Sequence, residues 1–314
     1  MIEIRGLTKR YGNKYAIKDV SFDINKGEVV GFLGRNGAGK TTTMNIITGY
    51  ISASGGTVTV DGHDILQDPI AVKRLIGYLP EQPPVYGDMT VNEYLHFSCD
   101  LKSIDRSKQN RHVEEICEIM RITDVRMRLI RNLSKGYKQR VGFAQALVSN
   151  PPVLIFDEPT VGLDPRQIIE IRKLIKELGK SHTIVLSSHV LPEVADICEK
   201  LVIIHKGEIV AQDSLERITT GTDNRTNYTI KVMGQERAVR SALHSVSGVR
   251  EVIAKGSPEK GVFEFSLEVD NDAVDFRRQA FLSMARLSSP IVQFNPERQT
   301  LEEIFIQLTA EADN

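Results

Sequence analysis

The chain has 314 residues, 41% of them hydrophobic and 26% charged, which is the composition of a folded globular protein and excludes disordered and collagen-like chains. Lys plus Arg number 40 and Asp plus Glu 41, so no dominant pull toward nucleic acid is expected. With aromatics at 6% and no Trp, a base-stacking platform is not expected either. Alternating apolar positions over 2–7 and 17–24, with Tyr11-Gly12-Asn13 between them, predict a β-hairpin. The apolar run 28–33 ends in Gly34. A helix is expected over 40–48 with Gly49 as its stop, and strands over 57–60 and 76–79. From Val91 to Leu147 the apolar period lengthens toward that of a helix, with Val113, Ile116, Cys117 and Met120 on one face. This predicts a helical insert over about 86–150, ended by Pro151-Pro152. A strand over 153–156, a helix over 166–178, a strand over 183–186, a helix over 191–198 and a strand over 201–204 follow. Such alternation predicts an α/β fold with a mostly parallel sheet.

The stretch 213–227, and within it the polar 219–224, reads as a linker between a domain of 1–218 and a second of 219–314. Beyond it a strand (228–232), a helix (236–246), two strands (249–253 and 262–269), a helix (273–287) and a strand (291–294) are predicted. The order βαββαβ is the split βαβ, ferredoxin-like arrangement. An amphipathic helix over 301–308 closes the pattern, and core packing is its expected role. The opening residues lack a basic region followed by an apolar run, so no secretory signal is expected. No stretch approaches the ~18 apolar residues of a spanning helix. Work at a membrane would need another chain to supply the span. Cys99, Cys117 and Cys198 form no C-x-x-C pair and read as reduced core residues of a cytosolic protein, and the seven histidines show no metal-ligand spacing.

Two segments carry chemistry. Gly34-Arg35-Asn36-Gly37-Ala38-Gly39-Lys40-Thr41 fits G-x-x-x-x-G-K-[ST], between an expected strand and an expected helix. Glycines let the backbone wrap phosphate oxygens and aim N–H groups inward, and the helix N-terminus adds its positive dipole end. Lys40 would reach the terminal phosphates, and the Thr41 hydroxyl suits Mg²⁺. The apolar strand 153–156 ends in Asp157-Glu158, at the C-terminal edge of the parallel sheet where ligands bind. Asp157 is the candidate for holding magnesium, and Glu158 for acting as general base on an attacking water.

Leu133-Ser134-Lys135-Gly136-Tyr137-Lys138-Gln139-Arg140 resembles the signature motif of ATP-binding cassette (ABC) ATPases. With the phosphate loop and the acidic pair, the chain from Met1 to about Gln212 resembles an ABC transporter ATP-binding subunit, of the type whose ATPase and permease are separate chains, as in drug, antibiotic-resistance, Na⁺ and gliding-motility exporters. The resemblance implies a P-loop NTPase of the ABC type: a mostly parallel sheet with an antiparallel β part and an α-helical insert. It makes Tyr11 the residue stacking on adenine, Gln82 the Q-loop glutamine and third magnesium candidate with Thr41 and Asp157, Asp164 the D-loop aspartate and His189 the switch histidine. Gly34 to Thr42 would hold the phosphates. Ser134 and Gly136 would face the nucleotide of a second copy in a head-to-tail dimer closed by ATP. Lys135 and Tyr137 depart from the common Leu-Ser-Gly-Gly-Gln, whereas Ser134, Gly136, Gln139 and Arg140 are retained.

The implied activity is hydrolysis of ATP to ADP and phosphate, with Glu158, His189 and Lys40 at the reacting end, powering a membrane permease, with export the expected direction. Such a subunit works at the inner face of the cell membrane. Met89, Tyr94 and Phe97 are candidates either for permease contact or for the insert's own core. A nucleotide-dependent switch without transport is the alternative. The region after Thr220 carries no motif; its charge is nearly balanced, and it reads as a dimerisation or regulatory module or as a packing appendage.

Overall fold

The computed structural model describes residues 2–220, 225–259, 261–270, 275–297 and 300–312. Two compact units divide the chain, one formed by 1–215 with 305–314 and the other by 216–304. The first begins with the expected hairpin, β1 (Ile2–Tyr11) antiparallel to β2 (Lys14–Ile24), which β4 (Gly55–Val60) and the short β5 (His63–Asp64) extend into the sheet β2-β1-β4-β5. A second sheet has six strands. Its central member is β3 (Val29–Leu33), flanked in parallel by β8 (Thr183–Ser188) and β9 (Lys200–His205). Outward from β8 lie β7 (Val153–Asp157) and β6 (Ile76–Leu79), both parallel, and β10 (Glu208–Ser214) closes the other edge antiparallel to β9. β3, β7 and β8 are buried at every position, which is why they read as continuous apolar runs and not as alternations.

Helix α1 (Lys40–Ile47) contributes Met44, Ile46 and Ile47 to one core shared with both sheets, among them Ile4, Leu7, Phe32, Ile155 and Ile204. The helical insert comprises α3 (Val91–Leu101), α4 (Arg106–Met120) and α5 (Lys135–Leu147). α3 starts on a reciprocal Thr90–Glu93 capping box, and α5 on Ser134. α5 buries Val141, Phe143, Ala144 and Leu147, and the Phe143 ring meets Phe156 of β7 edge-on at 4.8 Å. Gly77 in β6 allows this approach, because a Cβ there would stand 1.9 Å from the Ala146 carbonyl oxygen. α6 (Pro165–Gly179) and α7 (Leu191–Ile197) follow β7 and β8. The three cysteines are free and buried.

The second unit carries β11 (Arg225–Met233), α9 (Glu236–His244), β12 (Val249–Glu259), β13 (Val262–Asp270), α10 (Phe276–Arg286) and β14 (Ile291–Glu297). Its antiparallel sheet has the order β12-β13-β11-β14, which is the ferredoxin-like topology expected from the element order. Ile230, Phe265, Leu267, Val239, Leu243 and Met284 form its core.

Two expectations change, and two elements escape the sequence pattern. The linker expected over 213–227 is mostly regular structure: 213–214 end β10, α8 (Leu215–Thr220) follows, and 225–227 begin β11; Gly221 to Asn224 lie outside the described residues. β10 is hidden from sequence patterning because it is a half-exposed edge strand with a weak apolar alternation. α2 (Pro69–Leu75) escapes it because only Val72 is buried along its seven residues. β12 runs six residues beyond the predicted end at 253, over an exposed stretch with no apolar pattern. The last helix is α11 (Leu301–Glu311), and its residues from Phe305 on group with the first unit.

The close β6–α5 contact sets a testable limit. Gly77→Ala forces a methyl onto the Ala146 carbonyl and Leu154, and should cost about 2–4 kcal/mol of stability, read by denaturant unfolding.

Candidate functional site

The site lies at the C-terminal ends of β3, β7 and β8. Gly37 and Gly39 take left-handed conformations (φ +81° and +112°), and side chains at Gly34 and Gly39 would strike the Ile204 and Ala16 carbonyls, so the loop closes only with glycine there. α1 begins without a side-chain cap and without an acidic residue in its first turn. Its N–H groups and dipole are therefore uncompensated by its own side chains, as an anion site requires. Lys40 is 6% exposed and its Nζ donates to the Gly34 carbonyl at 2.8 Å. The same ammonium stands 3.2 Å from Glu158 Oε1.

Glu158 is buried and has φ +48°, an unusual conformation for a residue with a side chain. His189 Nδ1 donates to its second carboxylate oxygen at 2.8 Å. The carboxylate thus lies between the loop lysine and the exposed histidine after β8. Asp157 is fully buried; Ser187 Oγ donates to its Oδ1, and Oδ2 has no hydrogen-bond partner. Burial pushes the Asp157 carboxyl above its ordinary range and the Glu158 charge adds to this, while the Ser187 and Thr41 hydroxyls and Lys40 oppose it. A buried carboxylate oxygen without a donor, beside a threonine hydroxyl, fits a hard divalent cation.

These groups border a cleft of about 720 Å³ lined by Tyr11, Lys14, Tyr15, Asn36, Gly37, Gly39, Lys40, Thr41, Thr42, Glu81, Glu158 and His189. Gly34 and Ala38 are buried and Arg35 is exposed, and none of the three borders the cleft. A neighbouring cavity of about 760 Å³ is bordered jointly by Thr41, Gln82 and Asp157, the three residues expected to hold magnesium. Tyr11 is 54% exposed at the mouth of the cleft, with Lys9 Nζ 5.2 Å from its ring centre. Tyr15, also exposed and lining, is not among the residues singled out by sequence, nor are Lys14 and Glu81. The hairpin register that pairs Tyr11 with Lys14 and Arg10 with Tyr15 is the signal that could have found the first two.

Ser134, Gly136 and Asp164 do not border this cleft. Ser134 caps α5, and Gly136 is buried against Gln167. The Asp164 carboxylate caps α6, accepting from Arg166 and Gln167 N–H at 3.1 and 3.0 Å. The two departures from the common signature have local explanations. Lys135 lies across Gly162, whose φ of +72° and lack of a side chain make room for the ammonium. The Tyr137 hydroxyl donates to Asp124 at 3.0 Å. The retained Gln139 donates to the Pro159 carbonyl at 2.9 Å, and Arg140 to the Met120 carbonyl at 2.9 Å. Of the candidate permease contacts, Tyr94 is buried with its hydroxyl on the Pro84 carbonyl, and Phe97 is half-buried. Both border a groove with the exposed Tyr86, whose ring stands 6.0 and 5.7 Å from theirs; Met89 does not border it.

A family model described as ABC transporter matches residues 17–161. Over 309 residues the chain is 32% identical to the uncharacterized ABC transporter ATP-binding protein YxlF of Bacillus subtilis (strain 168), covering 98% of this chain and 99% of that protein. The chain belongs to the ABC transporter ATP-binding family. It is also 29% identical over 313 residues to the linearmycin resistance ATP-binding protein LnrL of the same organism, covering 98% of each chain. The bacitracin transport ATP-binding protein BcrA of Bacillus licheniformis is 35% identical over 241 residues, covering 76% of this chain and 77% of that protein. Among solved structures, the ATP-binding subunit of an ABC transporter superposes with a TM-score of 0.64 at 30% identity, covering 69% of this chain and 91% of that one. A dimeric post-hydrolysis state of the ATP-binding cassette MJ0796, bound to ADP and Pi, gives 0.63 at 26% identity, covering 68% and 99%. This ABC protein is therefore the ATP-binding, ATP-hydrolysing subunit of a transporter. Among the described residues no helix is long and apolar enough to cross a membrane.

The buried charge on Asp157 carries a stability cost that can be measured. A carboxyl whose folded pKa lies above its ordinary 3.8 destabilises the fold when ionised, so the cost is full above the raised value and disappears as pH falls to about 4. In chelator and without nucleotide, Asp157→Asn should melt about 3 °C above the parent chain at neutral pH. Melting curves between pH 4 and 8 should show that gap closing on the acid side.

Proposed function

We propose that this chain binds ATP with Mg²⁺ in the cleft, pairs head to tail with a second copy, and drives a separate membrane permease that exports its cargo. The observation that carries this reading is the Lys40–Glu158–His189 constellation beside the unpartnered Asp157 oxygen, with Ser134 and Gly136 outside the same cleft. Resistance and bacitracin-transport relatives support the export direction. The dimeric structure of the similar cassette MJ0796 supports the pairing.

In this reading the adenine stacks on Tyr11, and the N–H groups of Gly34 to Thr42 hold the phosphates. Lys40 transfers from the Gly34 carbonyl and Glu158 to the γ-phosphate, since an ammonium gains more from a phosphate dianion than from a neutral carbonyl. Glu158, released on that side, orients and deprotonates the attacking water. His189 holds the other carboxylate oxygen and contacts the γ-phosphate. Thr41, Gln82 and Asp157 would hold Mg²⁺, which when bound offsets phosphate charge. Ser134 and Gly136 of the second copy, at the start of a helix, close the site over the same phosphate. Asp164 keeps the D-loop helix start in place at that interface. Hydrolysis leaves two anions in a closed space, and their repulsion opens the pair. The chain works at the inner face of the cell membrane through its permease; residues 1–218 act as the ATPase domain and 219–314 as an accessory domain. No nucleic acid is involved.

Glu158→Gln should keep nucleotide affinity, lower turnover by about 10²–10⁴-fold, and yield an ATP-dependent dimer on size-exclusion chromatography. Turnover equal to the parent's would remove Glu158 from the mechanism. Ser134→Ala should leave ATP binding by the single chain intact and, combined with Glu158→Gln, abolish that dimer. Co-purification with a polytopic membrane chain tests the transport assignment.

A further inference from the structure

Ser187 is the last residue but one of β8, and the parallel register sets it directly beside Asp157 of β7. It is completely buried. Its hydroxyl has one proton and can also accept. The Glu158 backbone N–H, which can only donate, points at Ser187 Oγ at 2.9 Å. The hydroxyl proton is therefore free to go to Asp157 Oδ1, where the structure places it. One oxygen thus fixes two neighbouring residues: the Asp157 side chain through its first oxygen, with the second left unpartnered, and the Glu158 backbone in its left-handed conformation of φ +48°. That conformation is strained for a residue with a side chain and persists only where the surrounding structure holds it. The neighbouring Ser188 does a different job, accepting from the Val190 N–H at 2.9 Å and so shaping the turn that carries His189.

We propose that Ser187 is a positioning residue for hydrolysis, orienting through a single hydroxyl the carboxylate that would hold the metal and the backbone that aims Glu158. The inference rests on the assignment of Asp157 and Glu158 made above, and it adds a residue to which nothing in the phosphate loop, acidic pair or signature points. Its chemical consequence is specific. Losing the hydroxyl frees the Asp157 side chain to rotate and leaves the Glu158 N–H without a partner. Nucleotide contacts made by the phosphate loop are untouched.

Ser187→Thr and Ser187→Val test this, because the two side chains have the same branched shape and only threonine keeps the hydroxyl. Threonine should retain kcat within about threefold of the parent. Valine should lower kcat by about 10–100-fold, raise the Mg²⁺ concentration for half-maximal activity by about tenfold, and leave nucleotide affinity in chelator unchanged. Amide exchange in the nucleotide-free protein supplies a readout independent of turnover: the Glu158 N–H should exchange at least about tenfold faster in the valine variant than in the threonine variant. Equal exchange and equal kcat in the two variants would overturn the proposal. Equal loss in both would assign the position to packing and overturn it as well. If the parent chain itself hydrolyses no ATP, the assignment of Asp157 and Glu158 fails, while the exchange difference still reports on the hydroxyl.

Discussion

A buried ammonium shared among acceptors governs this site. Lys40 and Glu158 are each less than a tenth exposed and stand 3.2 Å apart. Removing two charges from water is costly, and the pair is tolerated because each member has further partners: the Gly34 carbonyl for Lys40 and His189 for Glu158. Such a pair contributes little net stability, yet breaking it one-sidedly is expensive. A phosphate would be a better acceptor for Lys40 than the neutral Gly34 carbonyl. In the function proposed above, the nucleotide would separate the lysine from the glutamate.

The strand ends supply the rest. Parallel pairing places Asp157 opposite Ser187, and Leu33 opposite Ser188, so the phosphate loop, the acidic pair and the histidine turn leave the sheet at one level. Buried strands with no freedom to slip fix that level to the residue, because a shift of one would turn Asp157 and Ser187 to opposite faces. The cost of this precision sits in Asp157, whose ionised form is disfavoured by burial, and in the backbone of Glu158. Both costs lie where chemistry would use them.

Much of this was legible in the residues. The glycine spacing, the apolar run ending in Asp157-Glu158 and the alternation of periods each have a local physical cause, and the βαββαβ order specified the second unit's sheet. Elements that failed to show were those that bury little: α2 with one buried residue, and the half-exposed β10. Contacts made across the sheet were also hidden. Nothing in the neighbours of Ser187 reveals that its hydroxyl serves residues about thirty positions earlier, and the exposed Tyr15 looks like any hairpin aromatic until the register sets it beside the cleft.

The same sheet also constrains the signature helix. α5 meets β6 through Gly77 against the Ala146 carbonyl, and Gly142 of α5 lies against Leu79 and Pro83, the latter adjacent to Gln82. At its start α5 holds Ser134, and its Gln139 donates to Pro159, the residue after Glu158. A close-packed contact without side-chain slack transmits displacement and does not absorb it. The Gln82 segment, the segment after Glu158 and the helix that Ser134 caps are therefore packed as one block. Glycine contacts on one side and the Gln139 hydrogen bond on the other thus tie the residues around the cleft to the helix that Ser134 caps, although Ser134 and Gly136 do not border the cleft themselves.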